Sequence, residues 1–259
     1  MADALAEMKV NLALVAFPGV ELEPLRQKLV KQGVRALALA ADLRRGDERR
    51  RVLNEVKQAF GNVHYLINNA GIEITAHFHE LPDESIEDIL KINLEAPMLL
   101  TRHILPEMLE QGSGHIVNIS SLAGKAGPAF QAPYAASKAG LIAFTESLRA
   151  SYRGTGVSAS LVCPGFVEAG IYARLKTRTG CKAPFTLGTS LPGQVAKAVL
   201  KSISRDLPEV IVNPYPVRPL FAICALFPSL GERLIRATGA HDFFRRVAEA
   251  EKLHSTKRG

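Results

Sequence analysis

Tyr134 and Lys138 stand four residues apart, a spacing that puts two side chains on one face of a helix, one turn from each other. Ala135, Ala136, Ala139 and Leu141 favour a helix there, and Ser137 and Gly140 only weaken it. An ammonium beside a phenol favours the phenolate, so Lys138 is expected to lower a tyrosine pKa that is ordinarily near ~10. A tyrosine tuned in this way passes a proton near neutral pH. Ahead of it, HIVNISS (residues 115–121) reads as a buried strand ending in two hydroxyls, Ser120 and Ser121. A hydroxyl at a strand's carboxyl end, near the phenol, can hold a carbonyl oxygen. Most Tyr–Lys pairs at this spacing are solvated helix surface; the adjoining serines make this one specific.

Strand and helix patterns alternate along the chain. Apolar runs at 10–16, 35–43, 64–71, 115–121, 157–167 and 209–214 read as strands. Helical patterns fill 18–33, 47–61, 84–112, 132–154 and 191–205, with Pro97 and Pro106 predicting kinks or breaks in the long one. This alternation implies an α/β fold, a doubly wound parallel sheet covered on both faces.

Composition narrows the classes. A chain of 259 residues with 47% hydrophobic content can bury a sizeable core. Three cysteines, Cys163, Cys181 and Cys224, are an odd number with no secretory signal, and read as reduced packing residues of an intracellular protein. No apolar run reaches the ~18 residues needed to span a bilayer. The net charge of +7 includes Arg44, Arg45, Arg49, Arg50 and Arg51, which read as the solvated start of a helix mixed with Asp47 and Glu48. With no zinc ligand set, helix-turn-helix pattern or aromatic stacking motif, nucleic acid is not an expected partner. His77 and His79 alternate in AHFHE, but a metal needs three or four ligands, so they read as loop residues bordering a cleft and no metal is expected. Glu73 and Glu80 read as solvated.

Five motifs together resemble the short-chain dehydrogenase/reductase family of the single-domain kind. They are NNAG at Asn68–Gly71, Asn93 in KINLEAP, Ser121 thirteen residues before the tyrosine, Tyr134-Ala-Ala-Ser137-Lys138, and PGFV at Pro164–Val167. The resemblance spans about residues 3–212. It implies a Rossmann-like fold and an NAD(P)(H)-dependent oxidoreductase that interconverts a ketone or aldehyde with an alcohol. Ser121 would hold the carbonyl oxygen and Tyr134 would be the acid/base. Lys138 would lower the tyrosine pKa and hold the ribose hydroxyls. Asn93 would bend its helix and order a water beside Lys138. Asn69, Ala70 and Gly71 would line the adenosine ribose, Asp42 and Leu43 the adenine, and Pro164, Gly165 and Val167 the nicotinamide carboxamide. The family often has Thr where this chain has Ala169.

The front end departs from the family. MADALAEMKVNLALVAF reads as the last turns of a first helix followed by the family's second strand, so the first strand and the TGxxxGxG loop are missing from this sequence. Such glycines let backbone N–H groups approach a pyrophosphate. An open slot in mid-sheet would leave backbone groups unpaired, each costing on the order of 1–3 kcal/mol if buried. A start lying upstream is expected over a decayed relative, because the catalytic residues are intact. After the second strand of the family pattern stand Ala16 and Phe17, where an acid would select NAD and an Arg would select NADP. The missing acid and the basic charge lean toward NADP(H).

The expected organisation is a Rossmann-like domain over residues 1–217 and a helical extension over 218–259 packing on it. In that extension, apolar Phe221, Ile223, Leu226 and Phe227 precede amphipathic patterns flanked by Arg233, Arg236, Arg245 and Arg246. Closing over the substrate cleft, packing in a dimer and lying on a membrane surface are all open to it. Residues 168–191 and the extension are expected to shape the substrate pocket. The expected partner is a small carbonyl or alcohol substrate in a cytoplasmic protein, with peripheral membrane contact through the C-terminal extension left open, and the family's habit implies a homo-oligomer. The competing reading is a non-catalytic binding or scaffold protein that has lost the dinucleotide site.

Overall fold

The computed structural model describes residues 1–256, and its elements in chain order are α1 (Ala2–Ala6), β1 (Leu12–Ala16), α2 (Glu23–Lys31), β2 (Ala36–Ala40), α3 (Gly46–Phe60), β3 (Tyr65–Asn68), α4 (Asp83–Leu90), α5 (Ala96–Gln111), β4 (Gly114–Ile119), α6 (Ala132–Ser151), β5 (Val157–Pro164), α7 (Gly170–Thr179), α8 (Pro192–Ser204), β6 (Glu209–Val212), α9 (Arg218–Leu226), α10 (Pro228–Ala237) and α11 (Ala240–Thr256). All strand pairs are parallel, as the apolar runs alternating with helices require. The strands form two sheets, β1-β2 and β3-β4-β5-β6. β1 pairs with β2 and β3 with β4, which leaves the other edge of each unpaired among the described residues.

Burial follows this division. In β4, Ile116 and Val117 are fully buried, and Val162 of β5 packs with Val117 and Val199 in one core cluster. In β1 only Leu12 is buried, because one edge and part of its faces look into the gap. The sheets are nonetheless held together. Met1 and Ile67 pack in two core clusters, one built on Val117 and the other on Leu29. Ion pairs from α3, Arg49 to Glu95 at 3.5 Å and Lys57 to Glu107, tie the outer helix to α5.

Three local readings are corrected. The helix expected from Pro18 starts at Glu23, after a Pro18–Gly19 turn in which Gly19 takes φ +93°. The long helix expected over 84–112 runs on through a π turn at Lys91–Glu95, so its irregularity comes before Pro97, which lies in the first turn of α5, while Pro106 sits inside α5 without ending it. The loop after β5 contains α7.

The C-terminal helices cover the cleft at the carboxyl ends of β4 and β5. Phe243, Phe244 and Val247 of α11 bury against Tyr172 and Leu175 of α7, with Phe130 and Phe166 at the margin. The Ala129 N–H donates to His241 Nδ1 at 3.1 Å, and Arg178–Glu251 and Lys252–Glu80 ion pairs clamp α11 on both sides. Of the three roles open to the extension, this structure displays packing over the cleft. Among the described residues no helix is long and apolar enough to cross a membrane.

Candidate active site

The carboxyl end of β4 delivers the two serines, and they divide the work. Ser120 is buried and donates from Oγ to the Lys138 carbonyl at 2.9 Å, anchoring the strand to α6. Ser121 caps the short turn Leu122–Gly124, its Oγ accepting from the Ala123 N–H at 3.1 Å. A Cβ on Gly124 would lie 2.7 Å from the Lys138 carbonyl carbon, so only glycine lets this turn rest directly on α6. Pro133 in the first turn of α6 sets the helix start, a position where its missing N–H costs nothing. One face of α6 then turns Tyr134 and Lys138 inward, and both line the cavity with Ser121.

The protonation states differ from expectation. Burial pushes the Tyr134 phenol up to about 12, against the opposing effect of its hydrogen bond with Ser121. Lys138 Nζ lies 5.8 Å from the Tyr134 ring centroid and donates to the Ile119 carbonyl at 2.9 Å, and burial brings it down to about 8. The expected acidification of the tyrosine by Lys138 therefore does not hold in the chain alone, because loss of solvent at the phenol outweighs its electrostatic neighbours.

Asn93 is fully buried in the π turn between α4 and α5. Its Nδ2 donates to the Ile72 carbonyl at 2.9 Å and to Ser137 Oγ at 3.0 Å, and its Oδ1 accepts from the Ile72 N–H at 2.9 Å. It thus staples the segment after NNAG to α6. The helix winds into a π turn at this residue, and π turns recur at functional sites.

The residues expected around a dinucleotide mostly line one continuous cavity of about 1560 Å³. Leu43, Asn69, Ala70, Gly71, Pro164, Gly165, Val167 and Ala169 all face it. A Cβ on Gly71 would come within 3.3 Å of Asn93 Oδ1 and 3.5 Å of Lys138 Nζ, so glycine keeps the floor beside the lysine open. Asn213 Oδ1 is buried beside Gly165 with no hydrogen-bond partner among the described residues, an acceptor left over at the end expected to take the nicotinamide. Asp42 does not fit its expected place. Its carboxylate is taken up by Arg44, with Nη2 to Oδ2 at 2.8 Å, and that guanidinium holds it below the usual carboxylate range. Arg44, held also by Asp88, is the group that reaches the cavity, next to Phe17 at 5.5 Å. The sequence reading assigned it to solvent; only the fold brings residue 44 to the end of β1. The two ends of a dinucleotide therefore find fitting residues, while the middle of the cavity runs along Leu12–Ala16 and Tyr65–Asn68, the facing edges of the two sheets.

On the substrate side a second group was missed. Glu73, expected in solvent, is half-buried and lines the cavity. Its Oε1 accepts from Gln131 Nε2 at 2.6 Å and from the Thr75 hydroxyl, and both partners are buried. Burial raises its pKa. Glu80 pairs with Lys252 at the surface. His77 packs edge-on against Phe130 at 5.0 Å, and among the described residues no cluster of three or more metal-ligating side chains occurs.

The profile of the family described as short chain dehydrogenase matches residues 1–179. Ketoacyl reductase HetN of Nostoc sp. is 38% identical over 254 residues, spanning 96% of this chain and 88% of that one. The 3-oxoacyl-(acyl-carrier-protein) reductase FabG of Staphylococcus epidermidis is 33% identical over 165 residues, 63% of this chain and 67% of that protein. Among solved structures, the actinorhodin polyketide ketoreductase with NADPH superposes with a TM-score of 0.76 at 28% identity, covering 82% of this chain and 89% of that one. A metagenomic short-chain oxidoreductase in complex with NADP gives 0.68 at 30% identity, covering 83% and 90%. With the profile running over most of the chain and the Nostoc relative over nearly all of it, this protein belongs to the short-chain dehydrogenase family of oxidoreductases.

Proposed function

We propose that this chain is an NADP(H)-dependent ketoreductase, reducing a ketone on an acyl-type substrate to the alcohol. The observation that carries the reading is the convergence of Ser121, Tyr134 and Lys138 on one cavity roofed by α11. The relatives named for ketoacyl reduction and the neighbours solved with NADP or NADPH support the substrate class and the cofactor. The nicotinamide, when bound, supplies the hydride. The protein's share is orientation and the proton. Ser121 and Tyr134 hydroxyls donate to the ketone oxygen, and donors fixed at a developing oxyanion lower such barriers most. Because burial keeps the phenol protonated, Tyr134 enters the reduction with its proton in place and gives it up as the alkoxide forms. The Lys138 ammonium, 5.8 Å from the Tyr134 ring centroid, favours the phenolate that is left when this proton is given up. Asn93 holds the floor on which Lys138 rests.

The second reading is a binding protein without turnover, and the open edges of β1 and β3 favour it. Titration of the purified chain with NADPH, followed by nicotinamide fluorescence, and NADPH oxidation with an acetoacetyl thioester separate the two. Saturable binding with turnover is expected. Binding of neither compound ends the ketoreductase reading.

A further inference from the structure

Among the groups that face the cavity, Glu73 has no part in the steps above, yet two buried side chains hold it in place. Thr75 and Gln131 are each 3% exposed, and both hydrogen-bond its Oε1. Gln131 Nε2 also donates to Thr75 Oγ1 at 3.0 Å, so the three side chains lock one another. Oε2 receives no hydrogen bond among the described residues, and Glu73 lines the cavity that Tyr134 also lines. A carboxyl held by one oxygen, with the other free in a largely apolar cleft, has the form of a recognition group.

Resting on the ketoreductase reading, we infer that Glu73 is the specificity residue of the substrate cleft: Oε2 hydrogen-bonds a second, uncharged oxygen of the substrate, a carbonyl or ester a few bonds from the ketone that is reduced. Raised by burial, the carboxyl keeps its proton to higher pH than an ordinary glutamate and can donate to such a carbonyl. Its ionised form cannot donate, and its charge also pushes Tyr134 further up. The charged groups that act on Glu73 from neighbouring elements are Arg178 of α7, which lowers its pKa, and Glu251 of α11, which raises it; the two are paired with each other. Tyr134 of α6 is the titratable group on the remaining side.

The test compares a 3-oxo ester, ethyl acetoacetate, with a plain ketone of similar length, 2-hexanone, using NADPH and wild-type, Glu73→Gln and Glu73→Leu chains. Losing a partner for a substrate hydrogen bond typically costs about tenfold or more. Glu73→Leu is expected to lower kcat/KM for the ester about tenfold and to leave the ketone nearly unchanged, while Glu73→Gln, which keeps a donor, retains the preference. In the wild type the preference falls as pH rises and the carboxyl ionises; in Glu73→Gln it stays flat. Saturation-transfer NMR of both probes without NADPH supplies a readout independent of turnover, in which the ester's advantage is lost in Glu73→Leu. Equal losses on both probes, or a preference indifferent to residue 73 and to pH in both assays, overturn the inference while leaving the ketoreductase reading standing. A wild type that oxidises NADPH with neither probe overturns that reading, and the NMR comparison then decides the subsite alone.

Discussion

The two sheets border one cavity in different states of completion. On the β3–β6 side, β4 and β5 are paired on both edges, and beside them Asn93, Ser120 and Lys138 are each held by a buried hydrogen bond. On the β1–β2 side, β1 has one partner, its faces are only partly covered, and the groups beside it are Phe17 and an Arg44 already neutralised by Asp42 and Asp88. The contrast separates two tasks that a dinucleotide enzyme normally performs in one continuous sheet. On the proposed reading, proton delivery depends on α6 and β4, whereas affinity for the long ligand depends on what lines the opening between the sheets. Variants on the two sides should therefore fail in different ways.

The largest effect is expected at Tyr134. Tyr134→Phe removes the hydroxyl that the proposed reaction uses as proton donor while preserving the buried ring, so on that reading turnover should drop by about 10²–10⁴-fold. NADPH binding, followed by fluorescence, should change little. A Phe variant that retained turnover would detach the chemistry from the well-packed side.

Next comes Lys138, where function and stability oppose each other. Its folded pKa near 8 lies below the 10.5 of a free lysine, so below pH 8 the folded state carries a buried ammonium at a cost. That cost amounts to about 3 kcal/mol, offset by about 1 kcal/mol from the hydrogen bond to Ile119. Between pH 8 and 10.5 the unfolded chain binds more protons than the folded one, so this part of stability recovers as pH rises. Lys138→Met should thus lose activity and yet be about 2 kcal/mol more stable at pH 7, with the gap closing by pH 10.5, as read by urea unfolding across that range. A variant less stable at pH 7 would mean that the buried amine holds the site together rather than straining it.

How much of this was legible in the sequence follows from how local each signal is. Ser121, Tyr134 and Lys138 were readable because a strand end and a single helix turn fix their relation, and nothing distant has to be known. The tyrosine's protonation state was not readable, since it depends on burial beneath the whole roof of the cleft. Glu73 was misread for a related reason: its partner Gln131 comes from 58 residues away and the helix roofing it from the end of the chain. Asp42 and Arg44 exchanged roles because a carboxylate two residues from an arginine pairs with it first, which spacing alone cannot weigh against a ligand. The split sheet was readable from the missing first strand, but Met1 and Ile67 bridging the halves was not.

Hydrogen exchange sharpens the contrast without a mutation. Amides on the unpaired edges of β1 and β3 have no ladder partner and face the cavity, so they should exchange about tenfold faster or more than those of β4 and β5, which report the deeper opening of the core. Addition of NADPH should slow the β3 edge first, beside Asn69–Gly71. Uniform protection across all six strands would mean that the opening is closed in solution.

The smallest expected effect lies on the far side of the roof, at the corner joining α9 and α10. Leu226, Phe227 and Leu230 stand 73%, 60% and 47% exposed, and Arg233 and Arg236 follow on α10. Because these apolar side chains already face water, Phe227→Ser with Leu230→Ser should change stability by no more than about 0.5 kcal/mol and leave turnover intact. The apolar corner next to basic residues is the feature that matches peripheral contact with an anionic membrane surface. If the corner serves that purpose, the wild-type chain floats with anionic liposomes and the double variant does not. If neither floats, α9 and α10 are confined to what the rest of the extension visibly does, which is to wall the substrate side of the cleft with Leu220, Phe221 and Ile235.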